Sequence, residues 1–252
     1  MRVNMALTGH RAYEPADPLS ERARMINFEG ARATMVESQL RTDKVTDRRI
    51  LAAFATLPRE RFVSAAKRQF AYSDASLEVW PSLDGGPARF LLPPAVLARL
   101  IQLVSVEAGD AVLDIGCATG YSTAVLSRLA RSVTAVEAEP ELAAAARENL
   151  KEIGVGNAAV LGGDLWRGAP ETGPFDVILL NGSVTEVPDT LLAQLKDGGR
   201  LGAIVAAGQE GRPCQGKAYL FVKVEGEASG LPHFDANAKP LPGFAPSPSF
   251  SF

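Results

Sequence analysis

From residue 111 onward the apolar positions alternate between two periods. "AVLDIG" (111–116) is a short apolar run suited to a buried strand, and "STAVLSRLA" (122–130) carries apolar residues at helical spacing. "SVTAVEA" (132–138) predicts a second strand. "PELAAAARENLKEIG" (140–154) predicts a second helix, with Pro140 at its start and Gly154 past its end. "AAVLGGD" (158–164) and "FDVILLNG" (175–182) read as third and fourth strands, "TLLAQLKDGG" (190–199) as a helix with a glycine stop, and "RLGAIVAAG" (200–208) as a fifth strand. Strands alternating with helices make a right-handed, doubly wound, mostly parallel α/β sheet. "AYLFVKVEG" (218–226) and the stretch around "LPHFDANAKPL" (231–241) are expected to close it as an antiparallel edge pair, for seven strands in all.

Upstream, Met35, Val36 and Leu40, then Ile50, Leu51, Phe54 and Leu57, recur at helical spacing; Thr46 or Asp47 can cap the second helix and Pro58 ends it. Residues 70 to 90 are turn-rich, with Pro81 and Gly85-Gly86, and read as a surface loop. "PPAVLARLIQLV" (93–104) opens with prolines suited to a first helical turn. The pattern divides the chain into a leader (1–24), an N-terminal helical and substrate-loop part (25–104), a cofactor-binding core (105–241) and an irregular tail (242–252). The leader has neither a period nor the apolar core of a signal peptide, and reads as a disordered extension or an over-long start. A chain starting at Met25 is therefore expected to keep its melting temperature and cofactor affinity; a fall of many degrees would show that the leader packs on the domain.

Composition narrows the function classes. The chain has 252 residues, 46% apolar and 22% charged, with a net charge of −3, which suits a soluble domain with a sizeable core. There is no basic excess to argue for nucleic acid, and the basic clusters Arg22/Arg24, Arg41/Lys44 and Arg48/Arg49 alternate with acids as solvated helix faces do. Cys117 and Cys214 are the only cysteines, so there is no disulfide framework and no metal-ligand spacing, and both fit a reducing cytoplasm. No apolar run reaches the ~18–20 residues of a membrane span.

The chemistry concentrates at the strand ends. In a doubly wound sheet, ligands bind outside the carboxyl ends of the strands at the switch in strand order. The loop Asp114-Ile115-Gly116-Cys117-Ala118-Thr119-Gly120 lies there, but lacks the three-glycine spacing of a dinucleotide fingerprint. Glu137 ends the second strand, where a carboxylate can accept both ribose hydroxyls. Asp164 ends the third, where it can accept from an adenine amine, and Asn181 ends the fourth. Acids at three successive strand ends suit a cationic, phosphate-free adenosine cofactor, S-adenosylmethionine. Asp114 would orient the loop and face the positive methionine moiety, while Gly116 and Gly120 permit close backbone approach. Ala138 and Leu165, following two of the acids, complete the expected contacts. Each acid alone also has a plain reading as helix cap, solvated strand end or turn residue. Cys117 reads as a small filler, with no neighbour to lower its pKa.

The sequence resembles the protein-L-isoaspartate O-methyltransferase family over residues 33 to 224. "MVESQLRTDKVTDRRILAAFATLPRERFV" is similar to the family's N-terminal signature, "AYSDASL" to the segment after it, "VLDIGCATGYSTAVLSRLA" to its cofactor loop, and "PFDVILLNGSVTEVPDTLLAQLKDGGRL" to its fourth-strand region. The resemblance implies a class I methyltransferase sheet, S-adenosylmethionine as cofactor and the isoaspartyl carboxylate of damaged proteins as substrate. One block departs. Where the family reads Gly-Gln-Thr-Ile-Ser with a proline two residues on, this chain has "PARFLLP" (87–93), which puts Leu91 at the serine position and Arg89 at the threonine position. The fourth-strand loop also has "NGS" in place of a run of Thr and Ala.

With a carboxylate nucleophile, methyl transfer neutralises opposite charges, so positioning and dryness help and no general base is required. The two histidines, His10 and His233, are not placed at the loop face to act as bases. Arg89 either clamps a substrate carboxylate or lies on a loop surface, and with Leu91 and Asn181 it forms the expected substrate side. "LLNGS" lacks the Asn-Pro-Pro-aromatic signature of amide N-methylation. The expectation is carboxyl O-methylation of a protein or peptide, with a small-molecule acceptor, or a cofactor-binding module without catalysis, as alternatives.

Overall fold

The computed structural model describes residues 27–81, 88–206 and 216–244. The leader, His10, Pro87, Cys214 and most of the tail lie outside them.

Helix α1 (Phe28–Met35) is capped by Asn27, whose side chain accepts from the Gly30 amide at 2.9 Å, and runs on into a π-helical turn, Val36–Leu40. Of the two candidate caps for α2 (Arg48–Thr56), Asp47 does the capping, accepting from the Arg49 amide at 2.8 Å. A side-chain amide on α3 (Pro94–Leu103) ties these parts together: Gln102 Oε1 accepts from the amides of Thr46 and Asp47.

Residues 70 to 90 do not form a plain surface loop. Leu77–Trp80 (β1) and Arg89–Leu91 (β2) pair as an antiparallel hairpin, and Arg89 and Leu91 are both buried on one face of it. Three residues are too few for a visible strand period, and an arginine at an inward position reads as polar.

The main sheet contains β3 (Ala111–Ile115), β4 (Ser132–Glu137), β5 (Ala158–Gly162), β6 (Phe175–Val184), β7 (Leu195–Val205), β8 (Lys217–Val224) and β9 (Glu227–Asp235). Their order is β5-β4-β3-β6-β7-β8-β9; the first five are parallel and the last two antiparallel. Helices α4 (Tyr121–Ser127) and α5 (Pro140–Glu152) follow β3 and β4. One apolar cluster joins the N-terminal helices to α4 and the sheet; a second, built on Phe175, Ile178, Leu191 and Leu201, covers the other face.

Two segments differ from the sequence expectation. The helix predicted over 190–199 is the short α6 (Asp189–Leu192), and β7 begins at Leu195. Leu191 and Leu195 imitate helical spacing, but Leu195 pairs with Phe175, and a register irregularity with Gly198 at φ +77° absorbs the intervening polar residues. At the C-terminal side the edge strand ends at Asp235. Residues 236–244 then run back as a strap to β6, where the Ser183 amide donates to Lys239 O and the Leu241 amide to Ser183 O, both at 2.9 Å.

Candidate active site

The strand order turns about β3, with β4 on one side and β6 on the other, so the ligand crevice lies at the carboxyl ends of these strands. The structure brings Asp114, Gly116, Cys117, Ala118, Gly120, Glu137, Asn181, Arg89 and Leu91 together around it.

Asp114 is fully buried and faces inward. Its Oδ2 accepts from the Ser122 and Thr123 hydroxyls at 2.8 and 2.6 Å, and its Oδ1 accepts from Asn181 Nδ2. Burial raises its pKa above the ordinary carboxylate value, opposed by those three donors. Its work is to hold the loop against α4 and β6 rather than to face a ligand. The loop is pinned on its far side as well, since the Thr119 hydroxyl donates to Phe62 O at 2.7 Å and Asn149 Nδ2 to Thr119 O at 2.9 Å. Cys117 is buried and burial pushes its thiol pKa up, so it is a filler. Peptide mapping after iodoacetamide treatment should find Cys117 unmodified in the native protein and modified after unfolding; rapid native alkylation would contradict its burial.

Glu137 is where the expected site changes character. Its Oε2 accepts from the Ala118 amide at 2.7 Å and from Arg89 Nη2 at 2.9 Å; its Oε1 accepts from the amides of Ala138 and Glu139 at 3.0 and 3.3 Å. The carboxylate is 0% exposed and Arg89 2%. Arg89 also donates to Gly116 O at 3.2 Å. Arg89 is therefore neither a surface arginine nor a clamp held out to substrate. It is the ion-pair partner of the acid expected to hold a ribose.

The other acids sit differently. Asp164 is exposed at the start of a 3₁₀ turn (Leu165–Arg167), while Leu165 is buried. Asn181 lies within β6, not at its end, and also donates to Ile115 O at 3.2 Å. Leu91 is buried and borders a cavity of about 10 Å³ with Arg59, Cys117, Tyr121 and Asn181. His233 is exposed on the edge strand β9.

Sequence reasoning assigned no role to three residues here. Arg59 is buried beneath the loop, donating to Ala71 O and Leu92 O at 2.8 and 2.7 Å and lying 4.6 Å from the Tyr121 ring centre. Tyr121 packs edge-on against Phe54 and Phe62, and burial pushes its phenol pKa up to about 12, so it stays protonated at neutral pH. Leu241, on the strap, reaches the loop: a Cβ placed on Gly116 would stand 2.8 Å from Leu241 Cδ2 and 3.0 Å from Arg89 Nη2. Its only signal in the sequence is an apolar residue between two prolines.

The family profile described as protein-L-isoaspartate(D-aspartate) O-methyltransferase matches residues 31–218. The chain belongs to the protein-L-isoaspartate O-methyltransferase family. It is 37% identical over 203 residues to the protein-L-isoaspartate O-methyltransferase 2 of Anaeromyxobacter sp. (strain Fw109-5), covering 81% of this chain and 76% of that one. It is 35% identical over 209 residues to the protein-L-isoaspartate O-methyltransferase 1 of Syntrophobacter fumaroxidans, covering 83% and 91%. A solved protein-L-isoaspartate O-methyltransferase superposes with a TM-score of 0.74 at 30% identity, over 84% of this chain and 66% of that chain. A Plasmodium falciparum structure assigned to the same enzyme, in complex with S-adenosyl-L-homocysteine, shares the fold at 18% identity (TM-score 0.66, 82% and 96% covered). The expected doubly wound fold and the family resemblance are both borne out.

The family is S-adenosylmethionine-dependent. The loop from Asp114 to Gly120 follows β3, and Glu137 ends the adjacent β4. The cavity bordered by Leu91 and the one bordered by Arg89 and Leu241 are about 10 Å³ each. Every position around the Glu137 carboxylate is taken. In this arrangement Arg89 and Leu241 stand over Gly116, and Arg89 holds Glu137.

Proposed function

We propose that this protein methylates a carboxylate of a protein or peptide, in the cytoplasm, from a state more open than the one described. The observation that carries the reading is the loop from Asp114 to Gly120 at the end of β3, with Glu137 at the end of the adjacent β4, within a fold shared with the family over most of the chain. In the open state Glu137 would hold the ribose of S-adenosylmethionine and Asp164 the adenine amine, with Gly116 leaving the backbone approachable. The cofactor supplies the methyl group. Asp114 and Asn181 hold the loop in place. On the acceptor side, Arg59 Nη1 and the Tyr121 hydroxyl are buried without a hydrogen-bond partner among the described residues, and both side chains border the same cavity as Leu91. A carboxylate is the group that two such donors favour. Among the described residues no helix is long and apolar enough to cross a membrane, and no cluster of His, Cys, Asp and Glu is arranged for a metal.

The Arg89–Glu137 pair favours a second reading, a family member that keeps the fold without turnover. Incubation with labelled S-adenosylmethionine and peptides bearing isoaspartyl, aspartyl or glutamyl side chains separates the two. Base-labile methyl esters on any of them support the first reading; binding without ester formation supports the second.

A further inference from the structure

We infer that Arg89 and Leu241 form an internal plug of the cofactor site, so that Arg89 and the cofactor's ribose compete for the same carboxylate, Glu137. The inference rests on the reading of Glu137 as the ribose acceptor.

Three observations support it. First, a guanidinium N–H and a ribose hydroxyl are both donors to a carboxylate oxygen, and Arg89 meets Glu137 through Nη2 alone. Arg89 Nη2 occupies the one position on Glu137 Oε2 that the Ala118 amide leaves, while the Ala138 and Glu139 amides hold Oε1. Second, Gly116, the residue whose missing side chain opens the loop to a ligand, is covered instead by Leu241 and Arg89. Third, the strap carrying Leu241 is fastened, not loosely laid. Ser183 exchanges two backbone hydrogen bonds with Lys239 and Leu241, its hydroxyl donates to Ala238 O at 3.1 Å, and the Thr185 hydroxyl donates to Phe244 O at 2.8 Å. Gly182 makes room for it, since a Cβ there would stand 2.6 Å from Leu241 Cγ and 2.9 Å from Lys239 O. Leu241 and Phe244 are buried in the same apolar cluster as Leu165, beside the expected adenine acid Asp164.

The two halves of the plug come from opposite ends of the chain: Arg89 from the β1–β2 hairpin before the sheet, Leu241 from the strap after it. A cofactor must displace both. Its apparent affinity is then reduced by the fraction of molecules that are open. Removing Arg89 is tolerable for the fold, because Glu137 keeps three backbone amides; removing Leu241 leaves the ion pair intact.

The test is calorimetric titration of S-adenosylhomocysteine into the full chain, its Arg89→Thr variant and its Leu241→Ala variant, with folding checked by far-UV circular dichroism. The plug predicts a gain in affinity of about tenfold or more for Arg89→Thr and a smaller gain for Leu241→Ala. Should Arg89→Thr fail to fold, the Leu241→Ala gain decides. Equal affinity of folded variants and wild type overturns the plug and leaves the proposed function standing. No binding by any of them at millimolar ligand overturns both.

Discussion

Glu137→Ala is expected to destabilise the protein by about 3–5 kcal/mol, because breaking a buried ion pair from one side leaves the other charge uncompensated. Arg89 would be left buried with only the Gly116 carbonyl as a partner among the described residues. Three backbone amides, those of Ala118, Ala138 and Glu139, would lose their acceptor at the same time. The loop from Asp114 to Gly120 is shaped partly by the Ala118 amide, so it should loosen locally as well as lower the global stability. The reverse substitution, Arg89→Thr, should cost less, since Glu137 then retains those amides. Urea denaturation of the two variants measures the asymmetry. A Glu137→Ala loss below about 1 kcal/mol would mean that Arg89 finds water or another partner, and that the pair is not the closed unit described.

Isoaspartyl peptides are expected to be poor substrates, methylated about 10²–10³ times more slowly than by a family member with a hydroxyl at the Leu91 position. Losing one preorganised polar contact in a transition state commonly has that effect. Leu91 is buried on the strand that also carries Arg89, so leucine presents hydrocarbon to a carboxylate that needs donors. The closed arrangement adds to the deficit. Leu91→Ser combined with Arg89→Thr should raise the rate by restoring a hydroxyl and vacating Glu137 together. Methyl ester formation on a synthetic isoaspartyl peptide measures both. Wild-type turnover equal to that of a family member with the hydroxyl would sink the expectation, and would point to Arg59 or Tyr121 as the donors in use.

The sequence by itself determined the sheet and which residues stand near its strand ends. Alternating strand and helix periods fix five parallel strands because each element must bury one face against its neighbours, and that demand is written locally in residues such as Val112, Leu113, Val133 and Val136. Asp114 and Glu137 were legible as residues near the carboxyl ends of β3 and β4 for the same reason: position along a strand sets which end of the sheet a residue reaches. Three things were decided only by tertiary structure. Leu195 belongs to a strand and not a helix because Phe175, twenty residues earlier, pairs with it. Asp114 looks inward because Ser122, Thr123 and Asn181 converge on it from two other elements. Arg89 is buried because Glu137, distant in sequence, offers a carboxylate that neutralises it, while Leu241, 152 residues after Arg89, packs with it over Gly116. A period describes how a residue meets its own element. It holds no information about which distant charge will be brought against it, and in this protein that meeting decides whether the cofactor site is open or filled.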